Sequence, residues 1–583
     1  MLWSRVTFDE SFNLTGAPRV AKWSPSHPTP WSRLMFPSLR TTALPLALAA
    51  ALSGAATGTA TVLQSQAAPD SAKIERLKAE ALTKIDARAK LVQEIIDHQF
   101  SFSELGFQEF ETQKYLTGIL KQNGFDVQLG YAGMPSAWVA RWGSGKPVIA
   151  LGSDVDGIPQ SNNKPGIGFL DPLVAGAPGH GEGHNTGQAV NIAAALVVKE
   201  IMIREKMQGT LVLWPGIAEE QMAGKAFLVR EGLFKDADVA LFTHVGSGLG
   251  VSWGESGQSA LISAIFQFKG TSAHAAGAPW RGRSALDAAM LMGSGWEYQR
   301  EHNELPTRSH YVIMDGGDQP NVVPSTASIW FYFRERDYDR TMALYEAGKR
   351  IARGAAMMAN VELDTVMMVG SGWNGHFNKT IAEVTFANIQ RVGMPTWDDA
   401  DITLAKALQK ELGSREGGLL SASEFAMGEP VPESRMLGGG SDDIGDVSWN
   451  LPTVTLRYPS NIPGLPGHNW SSSIASATPI AHKGAVAGAK VQALTLLDIL
   501  MKPQVVADAW TYFRDVQTKV VKYKPFISAT DMPPIWMNAD IMARYKPQLQ
   551  KHYYDAKKYK TYLEQLGIAY PTTRETLKPK MDN

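Results

Sequence analysis

The sequence predicts an α/β fold whose mostly parallel central sheet is interrupted by a smaller α+β domain. Short apolar runs alternate with stretches of helical apolar spacing in the first half of the chain, and this alternation is typical of parallel sheets. From about Ser259 the runs instead alternate apolar and polar residues, which indicates a more open sheet. After about Gly370 the first pattern returns, so the α/β part comes from two separate stretches of chain.

The predicted elements follow in chain order. A surface helical region spans 71–107, because apolar residues recur there at helical spacing with charges between them. The further elements of the α/β part are predicted at 148–151, 186–203, 210–214, 224–233, 239–242, 453–457 and 485–501. In the inserted domain, strands at 262–268 and 328–334 flank a helix at 284–301. Residues 502–583 lack a strong apolar period and are interpreted as a helical appendage.

Composition narrows the classes of function. The 583 residues are 44% hydrophobic and 19% charged, enough for a sizeable core and more than one domain. Lys and Arg number 56 against 57 Asp and Glu, so bulk charge gives no reason to expect nucleic acid as a partner. Cysteine is absent. Any metal ion must therefore be held by histidines and carboxylates.

The first 68 residues have the features of an N-terminal extension followed by a signal peptide. An arginine precedes the apolar run 43–52, and small residues after it offer cleavage following Ala60 or Ala67. A run of about ten residues is too short to span a bilayer, which needs about 20. We expect a periplasmic or secreted protein without stable membrane insertion, whose signal starts near Met35. The alternative is a disordered alanine-rich linker.

Acidic and histidine side chains follow the predicted strands at the points where these strands end. They are Asp154 and Asp156 after 148–151, Glu219 and Glu220 after 210–214, His244 after 239–242, and His180, Glu182 and His184 in the glycine-rich loop 179–185. Sites in open α/β sheets form at the carboxyl ends of strands, so together these residues predict one functional site. Taken singly, the Glu pair fits a helix start, the loop fits a capping turn, and the aspartates fit side chains bound to their own turn.

Six motifs occur in the order found in the zinc-dependent aminoacylase and carboxypeptidase family, which this sequence resembles. They are Asp-Val-Asp-Gly-Ile-Pro (154–159), Gly-His-Gly-Glu-Gly-His-Asn (179–185), Ala-Glu-Glu (218–220), Thr-His (243–244), Ser-Ala-His-Ala-Ala (272–276) and Pro-Gly-His-Asn-Trp (466–470). Longer stretches at 282–288, 320–324 and 445–449 are similar to the amidohydrolase branch that contains the B subunit of p-aminobenzoyl-glutamate hydrolase. The resemblance covers about 75–500.

The resemblance implies a zinc-exopeptidase-like catalytic domain in two parts, 69–255 and 373–501. Between them lies a dimerisation domain, called the lid below, at 256–372. Residues 502–583 follow as the appendage. The implied metal ligands, for two divalent ions with zinc favoured, are Glu182, His184, Glu220, His244 and His468. Glu219 is the implied general base, and Asp156 or Asp154 is the implied support behind the ligands.

The resemblance assigns roles to the lid as well. His274 is expected to reach across a homodimer and stabilise the oxyanion of the reaction. Asn321 and Arg334 match lid positions that hold polar groups of the substrate, and arginine suits a planar carboxylate through its paired donors.

Two departures from the family pattern change what is expected. Glu182 stands where the amidohydrolase branch usually has cysteine, and a carboxylate oxygen should shift the metal preference towards manganese or cobalt. No arginine lies at 370–378, where related carboxypeptidases bind the substrate carboxylate, and His376 or Lys379 are the residues that could replace it.

The sequence therefore predicts a metal-dependent amidohydrolase that cleaves the amide bond of an N-acyl or N-aroyl amino acid or a dipeptide. Its partners are a small-molecule amide, a second copy of the chain, and a related second subunit if the resemblance to one subunit of a hydrolase extends so far. The alternative is a small-molecule binding protein on the same fold without catalysis, which a retained base beside the ligands argues against. A phosphoesterase would need more Asp and His per strand end than this chain has.

Overall fold

The computed structural model describes residues 71–577, except 422–424, 433–434 and 436–437. The predicted extension and signal peptide (1–68) lie outside the described residues, as does the end of the appendage from 578 on. The strands are β1 (Asp126–Leu129), β2 (Trp138–Ser144), β3 (Val148–Asp154), β4 (Gly209–Gly216), β5 (Val239–Gly246), β6 (Leu249–Ser252), β7 (Gly254–Glu255), β8 (Ala260–Lys269), β9 (Arg308–Asp315), β10 (Thr326–Glu335), β11 (Glu362–Gly372), β12 (His376–Phe377), β13 (Phe425–Gly428) and β14 (Thr453–Pro459).

The helices cover both sheets and continue into the appendage. They are α1 (Ser71–Asp86), α2 (Ala89–Phe102), α3 (Phe110–Gln122), α4 (Gly187–Glu205), α5 (Lys225–Arg230), α6 (Ala285–Arg300), α7 (Tyr338–Ala359), α8 (Lys379–Val392), α9 (Asp399–Glu411), α10 (Ile444–Ser448), α11 (Trp470–Ser473), α12 (Pro479–Met501), α13 (Pro503–Tyr512), α14 (Ala539–Leu549) and α15 (Tyr562–Gln565). The single helical region predicted at 71–107 is two helices, α1 and α2, which a turn at 87–88 separates.

The catalytic part is built on an eight-stranded sheet of order β1-β2-β4-β3-β5-β14-β6-β13. Its centre is parallel: β3 pairs with β4 and β5, and β14 pairs with β5 in the same direction. Strands β1 and β2 add an antiparallel edge, and β6 runs against β14. The sheet is therefore mixed around the predicted parallel core, and the carboxyl ends of β3, β4, β5 and β14 meet at one edge.

Helices α4 and α12 form the centre of the core. They pack on each other, with α4 on β3 and β5 and α12 on β14. Because they are surrounded by protein, both are apolar on nearly all sides, and each is long and apolar enough to cross a membrane by composition alone. In each, 83% of the most apolar window is buried inside the structure, which is the pattern of a core helix.

The lid is a four-stranded antiparallel sheet of order β11-β8-β10-β9, with α6 and α7 packed on one face. Strand β10 alternates buried and less buried residues, because its inward side chains Ile329, Phe331 and Phe333 pack under the helices. Trp296 of α6 meets the Phe333 ring at 4.9 Å between centroids. The other face of β10 is directed towards the catalytic part, where Tyr332 bonds to the carbonyl of Glu220.

The appendage is helical only in part. Short helices α13, α14 and α15 are separated by irregular segments, and side-chain hydrogen bonds tie them to the catalytic part. Gln517 donates to the carbonyls of His376 and Ser448, and Tyr570 donates to Asp401. Apolar contacts add to these bonds, because Met542 and Leu549 of α14 pack against Leu105 and Tyr562 of α15 packs against Phe100.

Candidate metal-binding active site

The predicted site residues stand where the central strands end. Asp154 is the last residue of β3, and Glu219 begins a 3-10 turn, Glu219–Gln221, directly after β4. His244 lies near the end of β5, and His184 begins the turn that leads into α4. The parallel register of these strands brings the four segments to one edge of the sheet.

Glu182 lies among the other predicted ligands. Its Oε2 is 2.7 Å from His468 Nε2 and 4.0 Å from His184 Nε2, and its Oε1 is 3.5 Å from His244 Nε2. His468 Nε2 is also 3.6 Å from Glu220 Oε2. All five predicted ligands therefore converge, although they come from four separate segments.

Two groups of these side chains have the spacing of metal ligands. One ligand atom from each of Glu182, His184 and Glu220 lies within 4.8 Å of the others, and the same holds for Asp154, His184 and His244. His184 belongs to both groups. Its Nε2 and the Oε1 of Glu220 are both buried, and no residue in the described part of the chain forms a hydrogen bond with either atom. Buried polar atoms without partners are rare in proteins, so these two atoms fit a bound cation well.

The carboxylate of Asp156 contacts two of the predicted ligands. One carboxylate oxygen lies 3.3 Å from His184 Nδ1, and the other accepts the backbone N–H of Glu220 at 3.1 Å. The first contact fixes the imidazole so that Nε2 faces the other ligands. His244 is oriented in the same way, since its Nδ1 lies 2.8 Å from the carbonyl of Val245. The capping and self-bonding alternatives do not describe these contacts.

Burial and neighbouring charges shift the pKa values of several side chains at the site. Burial raises the pKa of Glu220 to about 8, and the carboxylate of Glu182 adds to the rise. Burial would raise the pKa of Glu182 too, but its hydrogen bond from His468 holds that pKa below the usual range. Burial, with the nearby charge of Arg457, lowers the pKa of His244 to about 4. This imidazole is therefore neutral near pH 7, as metal binding requires.

Glu219 occupies a strained turn beside the ligands. The residues on either side of the turn, Ala218 and Met222, have φ of 52° and 54°, a left-handed conformation that non-glycine residues seldom adopt. Such strain is often found at functional sites. The side chain is buried, and burial together with the charge of Asp154 raises the pKa of Glu219 well above its ordinary value.

A buried lysine that the sequence analysis did not single out lies behind this turn. Lys225 Nζ is 2.5 Å from Asp154 Oδ1 and 3.5 Å from Asp442 Oδ1, and it also contacts Asp443. The ammonium lies 4.9 Å from the centre of the Phe242 ring. Asp154 is thus paired with a lysine, which leaves Asp156 as the aspartate that contacts the ligands His184 and Glu220.

The ligands open into a cavity of about 460 Å³ between the catalytic part and the lid, called the cleft below. From the lid, Tyr332 donates a hydrogen bond to the carbonyl of Glu220 at 2.7 Å, and Arg334 donates from Nε to Ser441 at 3.1 Å. From the catalytic part, Arg457 of β14 lines the same cleft. Arg334 was predicted to bind substrate, whereas Arg457 was not singled out from the sequence.

The other lid residues lie elsewhere in this chain. His274 and Asn321 are neighbours, since Ala275 N–H donates to the carbonyl of Asn321 at 3.0 Å, and neither lines the cleft. His274 Nδ1 accepts the backbone N–H groups of Ala276 and Gly277. The neutral ring therefore carries its proton on Nε2, which is the state that donates a hydrogen bond. The role across a homodimer stays a prediction.

The two candidate replacements for an arginine near 370–378 do not line the cleft. His376 is buried with Nε2 3.3 Å from Tyr512 Oη, and Lys379 Nζ lies 4.4 Å from the centre of the Trp253 ring. His376 therefore contacts the appendage and Lys379 contacts Trp253, and both contacts lie outside the cleft.

Comparison with known proteins agrees with this architecture. Residues 256–357 match the M20 peptidase dimerisation domain. The chain is 31% identical over 442 residues to the B subunit of p-aminobenzoyl-glutamate hydrolase from Escherichia coli K12, covering 72% of this chain and 90% of that one. The chain belongs to the M20 peptidase family. The family predicted from six short motifs is thereby confirmed.

Other relatives agree with the M20 assignment. The mouse Xaa-Arg dipeptidase is 26% identical over 440 residues, covering 74% of this chain and 91% of its own. A solved structure assigned as an aminohydrolase, from methicillin resistant Staphylococcus aureus, has a TM-score of 0.50 at 18% identity, and the alignment covers 73% of this chain and all of that one. This structural likeness concerns the fold alone. The predicted α/β fold with an inserted domain is confirmed, and so is the prediction of a hydrolase of this family.

Proposed function

We propose that this M20 family member hydrolyses the amide bond of a small N-acyl or N-aroyl amino acid or a dipeptide. The observation that carries the proposal is the convergence of Glu182, His184, Glu220, His244 and His468 at the mouth of one cleft, with Glu219 beside them. The names of the relatives agree in reaction type: one is a p-aminobenzoyl-glutamate hydrolase and another is a dipeptidase.

The residues fit two divalent metal ions. Imidazole nitrogens and carboxylate oxygens are the ligands that zinc accepts in the absence of thiolates, and the partnerless atoms of His184 and Glu220 lie among them. Zinc is our first choice, and the carboxylate of Glu182 makes manganese or cobalt reasonable alternatives. Such ions would lower the pKa of a coordinated water towards 7 and polarise the amide carbonyl.

The chain's own residues supply the remaining steps. Glu219 is a buried carboxylate next to the ligand Glu220, so it is suited to take the proton of the attacking water and deliver it to the leaving nitrogen. Asp156 holds His184 and the backbone of Glu220 in place during this transfer. Arg334 binds polar groups of the substrate in this cleft, whereas Asn321 lies outside the cleft of its own chain and would have to act, like its neighbour His274, from a second copy.

Assembly and location belong to the same proposal. A homodimer formed through the lid would allow His274 of one copy to donate a hydrogen bond to the oxyanion in the cleft of the other. A second, related subunit is an additional partner, suggested by the similarity to one subunit of a hydrolase. The signal peptide proposed at the N-terminus directs the chain to the periplasm or outside the cell.

The proposed base is tested with Glu219→Gln. We expect turnover to fall by at least about a hundredfold, because removal of a general base usually costs 10²–10⁴. The metal content should stay the same, because Glu219 is not among the predicted ligands and glutamine keeps the shape of the buried side chain. The measurements are elemental analysis and release of free amine from a panel of N-acyl amino acids that includes p-aminobenzoyl-glutamate.

The matched control is Glu231→Gln, which removes a carboxylate at the C-cap of α5 that pairs with the surface Arg230. It should leave turnover unchanged. Near-normal turnover in Glu219→Gln would show that another group is the base. Metal binding without hydrolysis of any panel member by the native protein would contradict the proposed function and favour a binding protein.

A further inference from the structure

Arg457 differs from its neighbours on β14 in its exposure to solvent. Every other residue of β14 is buried, and Arg457 alone is exposed, although β14 lies inside the eight-stranded sheet. Its side chain escapes burial because it lines the cleft, where the catalytic part meets the lid. A guanidinium placed there by an otherwise buried strand is available to whatever the cleft binds.

One edge of this guanidinium is unused. Nη1 donates to the carbonyl of Val245 at 3.2 Å and lies 3.0 Å from His244 Nδ1. Among the residues that the structure describes, none accepts a hydrogen bond from Nε or Nη2 of Arg457 and no carboxylate forms an ion pair with it. Nε and Nη2 form the side of the fork that binds a carboxylate with two parallel hydrogen bonds.

One acidic residue of the cleft, Asp442, is already bound to other groups. Asp442 lines the cleft, but its Oδ1 accepts the backbone N–H of Ile444 at 2.9 Å and lies 3.5 Å from Lys225 Nζ. The Lys225 ammonium is therefore the larger positive influence on this aspartate, and the charge of Arg457 acts on it more weakly, without an ion pair.

The lid supplies a second guanidinium. Arg334 uses Nε for Ser441 and its guanidinium lies 5.2 Å from the centre of the Tyr332 ring, but its two terminal nitrogens donate no hydrogen bond to a described residue. The cleft also continues past Arg457, because an adjoining cavity of about 280 Å³ shares Gln258, Asp442 and Arg457 with it. A substrate lying across the ligands would thus meet positive charge from both parts of the protein.

We propose that Arg457 is a specificity-determining residue that binds a carboxylate of the substrate through Nε and Nη2, with Arg334 facing it from the lid. The enzyme accordingly selects amides that carry at least one negative charge. This inference rests on the proposed function, since it assumes that the cleft holds the amide being cleaved. A site that pairs its donors with a carboxylate rejects analogues that lack the acceptor, because the donors are then left unpaired when the ligand covers them.

The test compares acids with their neutral amides of the same shape. N-Benzoyl-glutamate against N-benzoyl-glutamine varies the side-chain charge, and N-benzoyl-leucine against N-benzoyl-leucinamide varies the α-carboxylate. In one of the two pairs the native enzyme should prefer the acid by about 10- to 100-fold in kcat/KM, the usual value of hydrogen bonds to a charged group. Arg457→Gln should abolish that preference by slowing the acid alone, and Arg457→Lys should keep part of it. The pair that responds identifies which carboxylate is bound.

Two controls separate this role from a structural one. Metal content in Arg457→Gln should match that of the native protein, since His244 keeps its contact with the carbonyl of Val245. Arg391→Gln removes a surface guanidinium that pairs with Glu75 and should leave both preferences unchanged. Equal losses on acids and amides in Arg457→Gln, or loss of metal, would show that Arg457 only positions His244 and would overturn the inference.

Failure of the proposed function has a different signature. If the native protein cleaves none of the four compounds, the hydrolase proposal is contradicted, and the inference is then decided by binding. Thermal shift measurements should show stabilisation by an acid over its amide in the native protein and no such difference in Arg457→Gln. Equal stabilisation by acid and amide in the native protein would overturn the inference on its own.

Discussion

Glu182 lies close to three of the other predicted ligands. If it binds metal, this chain differs from the cysteine-containing amidohydrolases in the chemistry of one ligand. Its two oxygens lie near the Nε2 atoms of His468, His244 and His184. A helix cap is the competing role, but within the described ranges no side chain caps the turn that starts at His184 or the helix α4 after it. We therefore expect Glu182→Ala to empty or weaken one of two metal sites, because the cation loses a protein ligand.

Elemental analysis after dialysis measures this effect. Glu182→Gln, which keeps the shape and removes the charge, should retain more metal than alanine but less than the native protein. Glu182→Cys should shift the preference from manganese towards zinc, since thiolate is the softer ligand. Two metals per chain in Glu182→Ala, with a loss of only about 1 kcal/mol of stability, would instead describe a capping residue.

The residues that the sequence analysis missed share one property: their partners are remote in sequence. Lys225 meets Asp154 and Asp443, which are 71 and 218 positions away. Arg457 reaches His244 across 213 positions. The ligands were predictable because each follows a strand end within a recognisable motif. A lone lysine in a helix or an arginine in a strand gives no such signal, although Asp442 and Asp443 after three glycines at 438–440 could have been noticed.

At the scale of elements, α10 links the catalytic part to the appendage. Asp446 of α10 accepts a hydrogen bond from Tyr523 Oη at 2.6 Å and another from the backbone N–H of Trp373 at 3.1 Å. Burial raises the pKa of Asp446 to about 7. Since this pKa is above that of an unfolded aspartate, about 3.9, folding favours the protonated form. The stability from this group is complete below about pH 4 and is lost as the pH rises through 7.

Asp446→Asn should remove this pH dependence. Relative to the native protein, its free energy of unfolding should rise by on the order of 2 kcal/mol between pH 5 and pH 8. Urea unfolding of metal-free protein at the two pH values measures the difference. Tyr523→Phe is the control, because it removes the donor and keeps the carboxyl group, so the pH dependence should remain. An Asp446→Asn effect that is the same at both pH values would contradict the raised pKa.

The elements themselves were predictable to different degrees. The strands β3, β4 and β5 and the helices α4, α6 and α12 lie where apolar runs and helical spacing predicted them, because each buries an apolar face. The appendage gave no such pattern. Its segments are held by scattered apolar contacts and by individual hydrogen bonds such as that from Asn538 to the carbonyl of Gly106, and neither gives a regular apolar period in the local sequence.

For the whole molecule, the sequence predicted the sheet with its inserted domain, but not the full arrangement of strands. The parallel centre follows from the alternation of strands and helices. The edge strands β1 and β2, which are neighbours in the chain, were not predicted, and the antiparallel pairing of β6 with β14 joins segments that are distant in sequence. The cleft is likewise a product of the whole molecule, because β10 of the lid and β14 of the catalytic part reach it from distant parts of the chain.

The lid offers one edge that suits the predicted homodimer. Strand β9 is an outer strand of the four-stranded sheet, and most of its residues are exposed, among them Val312, Ile313 and Met314 with 56%, 44% and 41% of their surface accessible. An apolar sheet edge left bare invites pairing with another strand. Pairing of two copies along β9 would bury this edge and extend the sheet that contains β10, so the prediction assigns the dimer contact to this strand.

Ile313→Asp should therefore weaken the homodimer, because pairing would bury a charge without a partner. Light scattering across a dilution series should show a native dimer and a monomeric variant, and hydrolysis should fall in parallel, since His274 is expected to act in the cleft of the other copy. Ile203→Asp is the matched control: this residue of α4 is 59% exposed on the catalytic part and should change neither mass nor activity. A fully active monomer would remove both the β9 contact and the cross-subunit role of His274, and the oxyanion would then need a donor from the same chain.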